Sequence, residues 1–76
     1  MKKLPVVYLE WLDSCTNYGW RNPEEGHLSK IRSIGFLVKE DKHSLTITTS
    51  ASLNGQAVDQ ITIPKVVVSK RKKIKI

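Results

Sequence analysis

A polar and aromatic run at residues 13–28 (DSCTNYGWRNPEEGHL) contains the side chains best suited to hold an anionic ligand. Tyr18 and Trp20 offer ring faces on which a nucleotide base stacks, and Arg21 offers a guanidinium for a phosphate. Polar side chains beside them add hydrogen-bond donors. The predicted ligand-binding residues are Asn17, Tyr18, Trp20 and Arg21, with Lys65 further along the chain as a second contributor.

Trp20 has an alternative role. A domain this small needs every large apolar side chain it has, so the indole is also suited to fold back as a lid over one end of the core. The neighbouring NPEEG is either a single helical turn, with Asn22 as cap and Pro23 at its first position, or a solvated turn.

The chain has a net charge of +6, and its cations concentrate at its two ends. A patch formed by these cations would attract nucleic acid or another polyanion, with an affinity that falls steeply as salt rises. The alternatives are an edge strand whose lysines block unwanted sheet pairing, or a frayed tail. The predicted patch comprises Lys2, Lys3, Lys70, Arg71, Lys72, Lys73 and Lys75, and residues 70–76 form a basic C-terminal strand or tail.

Catalysis has little support in the sequence. Cys15 and His27 could in principle pair as nucleophile and base, but no third group is evident to orient them. The carboxylates are scattered, and the two histidines and one cysteine have no zinc spacing. We therefore predict a protein that is not an enzyme and uses neither metal nor cofactor.

Strand patterns occupy the rest of the chain, and no window shows sustained helical periodicity. In PVVYLEWL, Val7, Leu9 and Trp11 alternate with Val6, Tyr8 and Glu10, as in a strand with one buried face. The second strand, KIRSIGFLVKE, has two apolar phases. Ile34, Phe36 and Val38 are in phase and Ile31 is not, which predicts a bulge or bend near residues 33–35. Gly35 would permit that bend, or the close approach of another backbone.

Turn signals separate the later strands. A charged turn at residues 40–42 precedes HSLTITTSASL, and Asn54-Gly55 predicts a two-residue type I′ hairpin turn, which needs positive φ at both positions. Pro64 ends the fourth strand, PKVVV fits one turn of 3₁₀ helix, and SKRKKIKI resumes alternation.

This order of five strands, with a long first connection and a 3₁₀ turn before the last strand, predicts an all-β fold, a small SH3-like or Sm-like barrel formed by one domain, residues 1–76. ITIPKVVVSKRKKI resembles the fourth strand, turn and fifth strand of Sm-like proteins, although the family's nucleotide-binding motifs are missing. In such barrels the first and last strands are antiparallel neighbours. The resemblance therefore implies that the two basic ends form one patch.

Most of the chain also resembles a group of very small bacteriophage and prophage proteins, most of them without an assigned function. The shared pattern is a first strand that ends in Trp-x-Asp-Ser, a Gly-Trp a few residues on, a second strand with Gly-x-Leu, and a closing Ile-Pro-Lys. The residues that fill it are Trp11, Asp13, Ser14, Gly19, Trp20, Gly35, Leu37, Ile63, Pro64 and Lys65.

The phage resemblance implies a cytoplasmic protein of an infected or lysogenic bacterium, and the chain shows no signal peptide or apolar span that would place it in a membrane. Some small phage barrels form oligomers that sequester the cyclic nucleotide signals of bacterial defence. The first hypothesis is accordingly a homo-oligomeric anti-defence protein that sequesters a nucleotide-like anion. An RNA- or DNA-binding Sm-like module, or an inhibitor of a host protein, is the alternative.

Overall fold

The structure is a computed structural model that describes residues 3–14 and 28–76, and most of these residues lie in strands. The predicted all-β class is therefore confirmed. A 3₁₀ turn at Lys65–Val67 precedes the last strand, as predicted. The strands are β1 (Val6–Ser14), β2 (Leu28–Glu40), β3 (Ser44–Thr48), β4 (Ser50–Ala51), β5 (Ala57–Val58), β6 (Ile61–Pro64) and β7 (Val68–Ile74).

Five of these strands form one antiparallel sheet in the order β6-β3-β2-β1-β7. The first and last strands are antiparallel neighbours, with Val6 opposite Ile74 and Tyr8 opposite Lys72, as predicted. Within the described ranges, β6 and β7 are the two edges of this sheet and do not pair with each other. The sheet is therefore not closed into a barrel by backbone hydrogen bonds between these strands.

The core lies on one side of β1, as its alternation predicts. Val7, Leu9 and Trp11 are buried there, and they cluster with Leu45 and Ile47 from β3. Ile63 from β6 completes this cluster. Fully burying each such aliphatic side chain stabilises the fold by roughly 1.5–3 kcal/mol. The indole of Trp11 donates a hydrogen bond from Nε1 to Oγ of Ser33, 3.1 Å away, so its polar atom is satisfied.

The structure corrects the predicted phase and bulge of β2. Ile34 is 59% exposed, whereas Ile31 and Leu37 pack against the core. The reason is the register with β1, which sets Gly35 opposite Val7 and so turns the odd-numbered residues of β2 toward the core. Pairing with β1 is continuous through residues 33–35, and the irregularity lies between Leu37 and Lys39, in the pairing with β3.

Gly35 is the point where two backbones approach closely, the second of its two predicted roles. A Cβ atom at this position would lie 2.6 Å from the carbonyl oxygen of Thr48. Because that neighbour is a backbone atom, it cannot move aside cheaply. Glycine is therefore required by space at this crossing of β2 and β3.

Two turns were located correctly by the sequence, but the type of one was wrong. At the charged turn, Asp41 Oδ1 accepts hydrogen bonds of 2.8 Å from the backbone N–H groups of His43 and Ser44, and these bonds lower the pKa of Asp41. At the hairpin, only Gly55 has positive φ (+97°), and its N–H donates to Ser52 O.

The hairpin therefore has a three-residue loop, in which a turn is followed by a left-handed glycine, and it is not the predicted two-residue type I′ turn. Ser52 N–H donates to Gln56 O across the base of this loop. The hairpin joins β4 to β5, which form a small sheet of their own, where the sequence predicted two longer strands.

Candidate anion-binding site

The loop residues predicted to bind a ligand lie outside the described residues. The same holds for the predicted lid, for the cysteine and histidine considered for catalysis, and for one lysine of the basic patch. These residues are Asn17, Tyr18, Trp20, Arg21, Cys15, His27 and Lys2, and their roles stay predictions.

Lys65 is the predicted ligand-binding residue that the structure does describe, and it already has an anionic partner. It begins the 3₁₀ turn, where its backbone N–H donates to His43 O. Its Nζ lies 2.7 Å from Glu40 Oε2, at the end of β2. An external anion would compete with this carboxylate for the ammonium group.

Arg71 of the predicted patch meets the same carboxylate. Its Nη1 and Nη2 donate to Oε2 and Oε1 of Glu40, each at 2.9 Å, in a bidentate pair. These hydrogen bonds from Arg71, and then those from Lys65, lower the pKa of Glu40 to about 2. The carboxylate thus ties the end of β2 to both β7 and the 3₁₀ turn. Arg71 is mainly a structural cation here.

The other cations of β7 divide between two sides of the sheet. Directly paired residues of antiparallel strands point to the same side. Lys73 faces Val7 across the pair, whereas Lys70 and Lys72 face Glu10 and Tyr8 on the side away from the core. All three lysines are exposed. Among the described residues, neither ion pair of Glu40 involves these three lysines, so their ammonium groups remain accessible to an external anion.

The pairing of β1 with β7 also brings the two basic ends together, as predicted for Lys3. Lys3, Lys73 and Lys75 line one hollow of about 480 Å³, which we call the basic groove. Its apolar lining includes Leu4 and Ile74. A groove with ammonium groups on an apolar floor suits a ligand that is both anionic and partly apolar.

Three further residues that the sequence did not mark as functional lie on the same side of the sheet as Lys70 and Lys72. Tyr8 projects away from the core, and Arg32 and Lys30 follow on β2, opposite Glu10 and Leu12. The alternation of β1 placed Tyr8 on this side, but its cationic neighbours depend on the register between strands. Local patterns do not contain that register.

The hydroxyl group of Tyr8 donates a hydrogen bond to Glu10 Oε2. This bond is the main cause that raises the pKa of Tyr8 above its ordinary value. The hydroxyl group of Tyr8 thus already has a hydrogen-bond partner in the protein, and the ring is half-buried on the surface of the sheet.

The described residues contain no group of three or more His, Cys, Asp or Glu side chains placed to hold a metal ion. No helix among them has the length and apolar character needed to cross a membrane.

Comparison of the chain with protein-family models, with curated proteins and with solved structures found no match in any of the three.

Proposed function

We propose that this protein is a non-catalytic module that binds nucleic acid through the basic groove and the lysines of β7. The observation that carries the proposal is the antiparallel pairing of β1 with β7, which gathers cations from both ends of the chain. Of the hypotheses drawn from the sequence, nucleic-acid binding uses this arrangement most fully.

The electrostatics support a polyanion as ligand. Lys3, Lys73 and Lys75 share one groove, and no described carboxylate forms an ion pair with them. Each phosphate that a lysine neutralises releases condensed counterions, which supplies much of the affinity at low salt. A chain of phosphates gains this contribution several times over, and a single small anion gains it once.

Edge protection is the competing explanation for these lysines. β7 is an edge strand, and charged side chains there discourage pairing with another chain. This role needs no ligand, and it does not need the lysine at the other end of the chain. Lys3 in the same groove favours binding, and the two roles are compatible.

We propose further that the fold is a small SH3-like or Sm-like barrel. The strand order and the 3₁₀ turn before the last strand support it. The contacts of Glu40 with Lys65 and Arg71 support it further, because they bring the end of β2 to β7, two strands that are not neighbours in the sheet.

The hypothesis of an oligomeric phage protein that sequesters a nucleotide-like anion stays a prediction, as does a host protein as partner. One observation favours an oligomer: within the described residues β6 is a sheet edge without lysines, and it could pair with a further copy. Native mass spectrometry of the protein purified from bacteria would report both the subunit number and any retained nucleotide. In this case Trp20→Ala or Arg21→Ala, and not the loss of groove lysines, would abolish ligand binding.

The test of the proposed function is the affinity for a labelled oligonucleotide, measured by fluorescence anisotropy at low salt. The double variant Lys73→Gln/Lys75→Gln should bind about fivefold more weakly, because two exposed charge pairs are lost. Lys39→Gln/Lys42→Gln removes the same charge from exposed positions outside the groove and is the matched control. Equal affinities of the two double variants, or no binding by the unmodified protein, would overturn the proposal.

A further inference from the structure

The side of the sheet away from the core presents a ring, apolar side chains and cations in a regular arrangement. We call the surface formed there by β1, β2 and β7 the outer face. In β1 the core side holds Val7, Leu9 and Trp11, so the even-numbered residues project to the outer face.

The register fixes which side chains meet on this face. Tyr8 lies between Ile34 of β2 and Lys72 of β7, in one row across the three strands. In the next row, Glu10 lies between Arg32 and Lys70. Each row thus carries a cation, and the ring of Tyr8 occupies the middle strand.

Apolar side chains of the outer face are open to solvent. Ile34 is 59% exposed, and Leu12 and Leu28 are 36% and 60% exposed. A hollow of about 500 Å³ adjoins these strands, lined in part by Leu12 and Arg32. Exposed apolar surface rimmed by charge is typical of a binding site.

We propose that the outer face is a stacking platform for the bases of single-stranded nucleic acid, with Tyr8 and Ile34 beneath the bases and Lys70, Lys72 and Arg32 beside the phosphates. This inference rests on the proposed function and adds the strandedness of the ligand. Stacking on aromatic faces combined with backbone contacts to cations is the general mode of binding single strands.

Charge complementarity selects this occupant over a second copy of the chain. In the rows through Tyr8, Glu10 and Leu12, the cations Lys30, Arg32, Lys70 and Lys72 outnumber the single described carboxylate, Glu10. Two such faces would repel each other on contact. A duplex satisfies the charge but hides its base faces, so it has no use for exposed Tyr8 and Ile34.

The hydrogen bond of Tyr8 identifies which part of the side chain matters. Because Glu10 already accepts from the hydroxyl group, the ring is the group left to contact a base. Phenylalanine should therefore replace Tyr8 without loss of affinity, and a non-aromatic residue of similar size should not.

The experiment compares labelled oligo(dT) of about 20 nucleotides with a duplex of equal length by fluorescence anisotropy. Tyr8→Leu should weaken binding of the single strand about fivefold or more, and Tyr8→Phe should leave it unchanged. Binding of the duplex should respond to neither variant. Lys72→Gln, as a charge control, should weaken binding of both ligands.

Ile34→Thr serves as a second variant, because a substitution at this exposed position should leave the fold intact. Circular dichroism checks the fold of each variant. We expect it too to weaken single-strand binding selectively. If the unmodified protein binds the oligonucleotide and Tyr8→Leu binds it equally well, the platform is wrong while the proposed function stands. If the unmodified protein binds neither ligand, both are wrong.

Discussion

At the scale of single residues, Glu40 connects the end of β2 to both β7 and the 3₁₀ turn. No motif in the sequence predicted this role. Its carboxylate holds Arg71 in a bidentate pair and Lys65 at 2.7 Å. In the sequence it was only part of a charged turn. Its two partners are 25 and 31 positions away along the chain, so no local pattern connects them.

This cluster predicts a specific dependence of stability on pH. The pKa of Glu40 is lowered from 4.5 to about 2 in the folded state, so folding favours its ionised form. The resulting stabilisation is present above the unfolded pKa and is lost as the pH falls from about 4.5 to about 2.

We therefore expect Glu40→Gln to unfold at a lower temperature than the unmodified protein at neutral pH. The difference between their melting temperatures should shrink as the pH falls through this window, because the native carboxyl group then becomes neutral as well. Thermal unfolding followed by circular dichroism at several pH values measures this difference. A difference that stays constant from neutral pH to pH 2 would contradict the assigned role.

At the scale of elements, the sequence predicted those features that depend on near neighbours. Alternation in β1 identified Val7, Leu9 and Trp11 as core residues. The 3₁₀ turn was correctly predicted directly after Pro64. The position of the hairpin at Gly55 was also correct, but its type was not, because Asn54 does not adopt the positive φ that the predicted turn needs.

β2 shows why the remaining features were not predictable. It carries apolar residues in both phases, so its own pattern does not say which side faces the core. Pairing with β1 decides in favour of Ile31 and Leu37. The same register places Arg32 beside Tyr8, so the outer face was missed for the same reason. The meeting of the two basic ends, in contrast, was predictable, because it depends on the order of the strands and not on their register.

The orientation of β2 can be tested with two matched substitutions. Leu37→Thr removes an apolar side chain packed against the core and should lower the free energy of unfolding by about 1–2 kcal/mol. Ile34→Thr changes an exposed position and should alter it by less than about 0.5 kcal/mol. Urea unfolding measures both. The reverse order of effects would show that β2 faces the other way.

At the scale of the whole molecule, the main feature is how the fold redistributes charge. The net charge of +6 arises largely from the two ends of the chain, which are far apart in sequence. Antiparallel pairing of β1 with β7 makes them neighbours, while Glu40 neutralises part of the cluster from within. The result is a concentrated positive field on one edge of the sheet, which would steer polyanions toward that edge.

The most direct test of nucleic-acid binding by the basic groove is the salt dependence of the affinity for a labelled single-stranded oligonucleotide. Between about 50 and 200 mM salt, the logarithm of the association constant should fall linearly with the logarithm of the salt concentration. Each lysine that contacts a phosphate contributes about 0.7 to the magnitude of this slope.

Lys73→Gln/Lys75→Gln should therefore reduce the magnitude of the slope by about 1.4, and Lys39→Gln/Lys42→Gln should leave it unchanged. Anisotropy titrations of the three proteins at several salt concentrations give the slopes. We expect a shallower slope for the groove variant alone. Identical slopes for all three proteins, or no binding at the lowest salt, would contradict it.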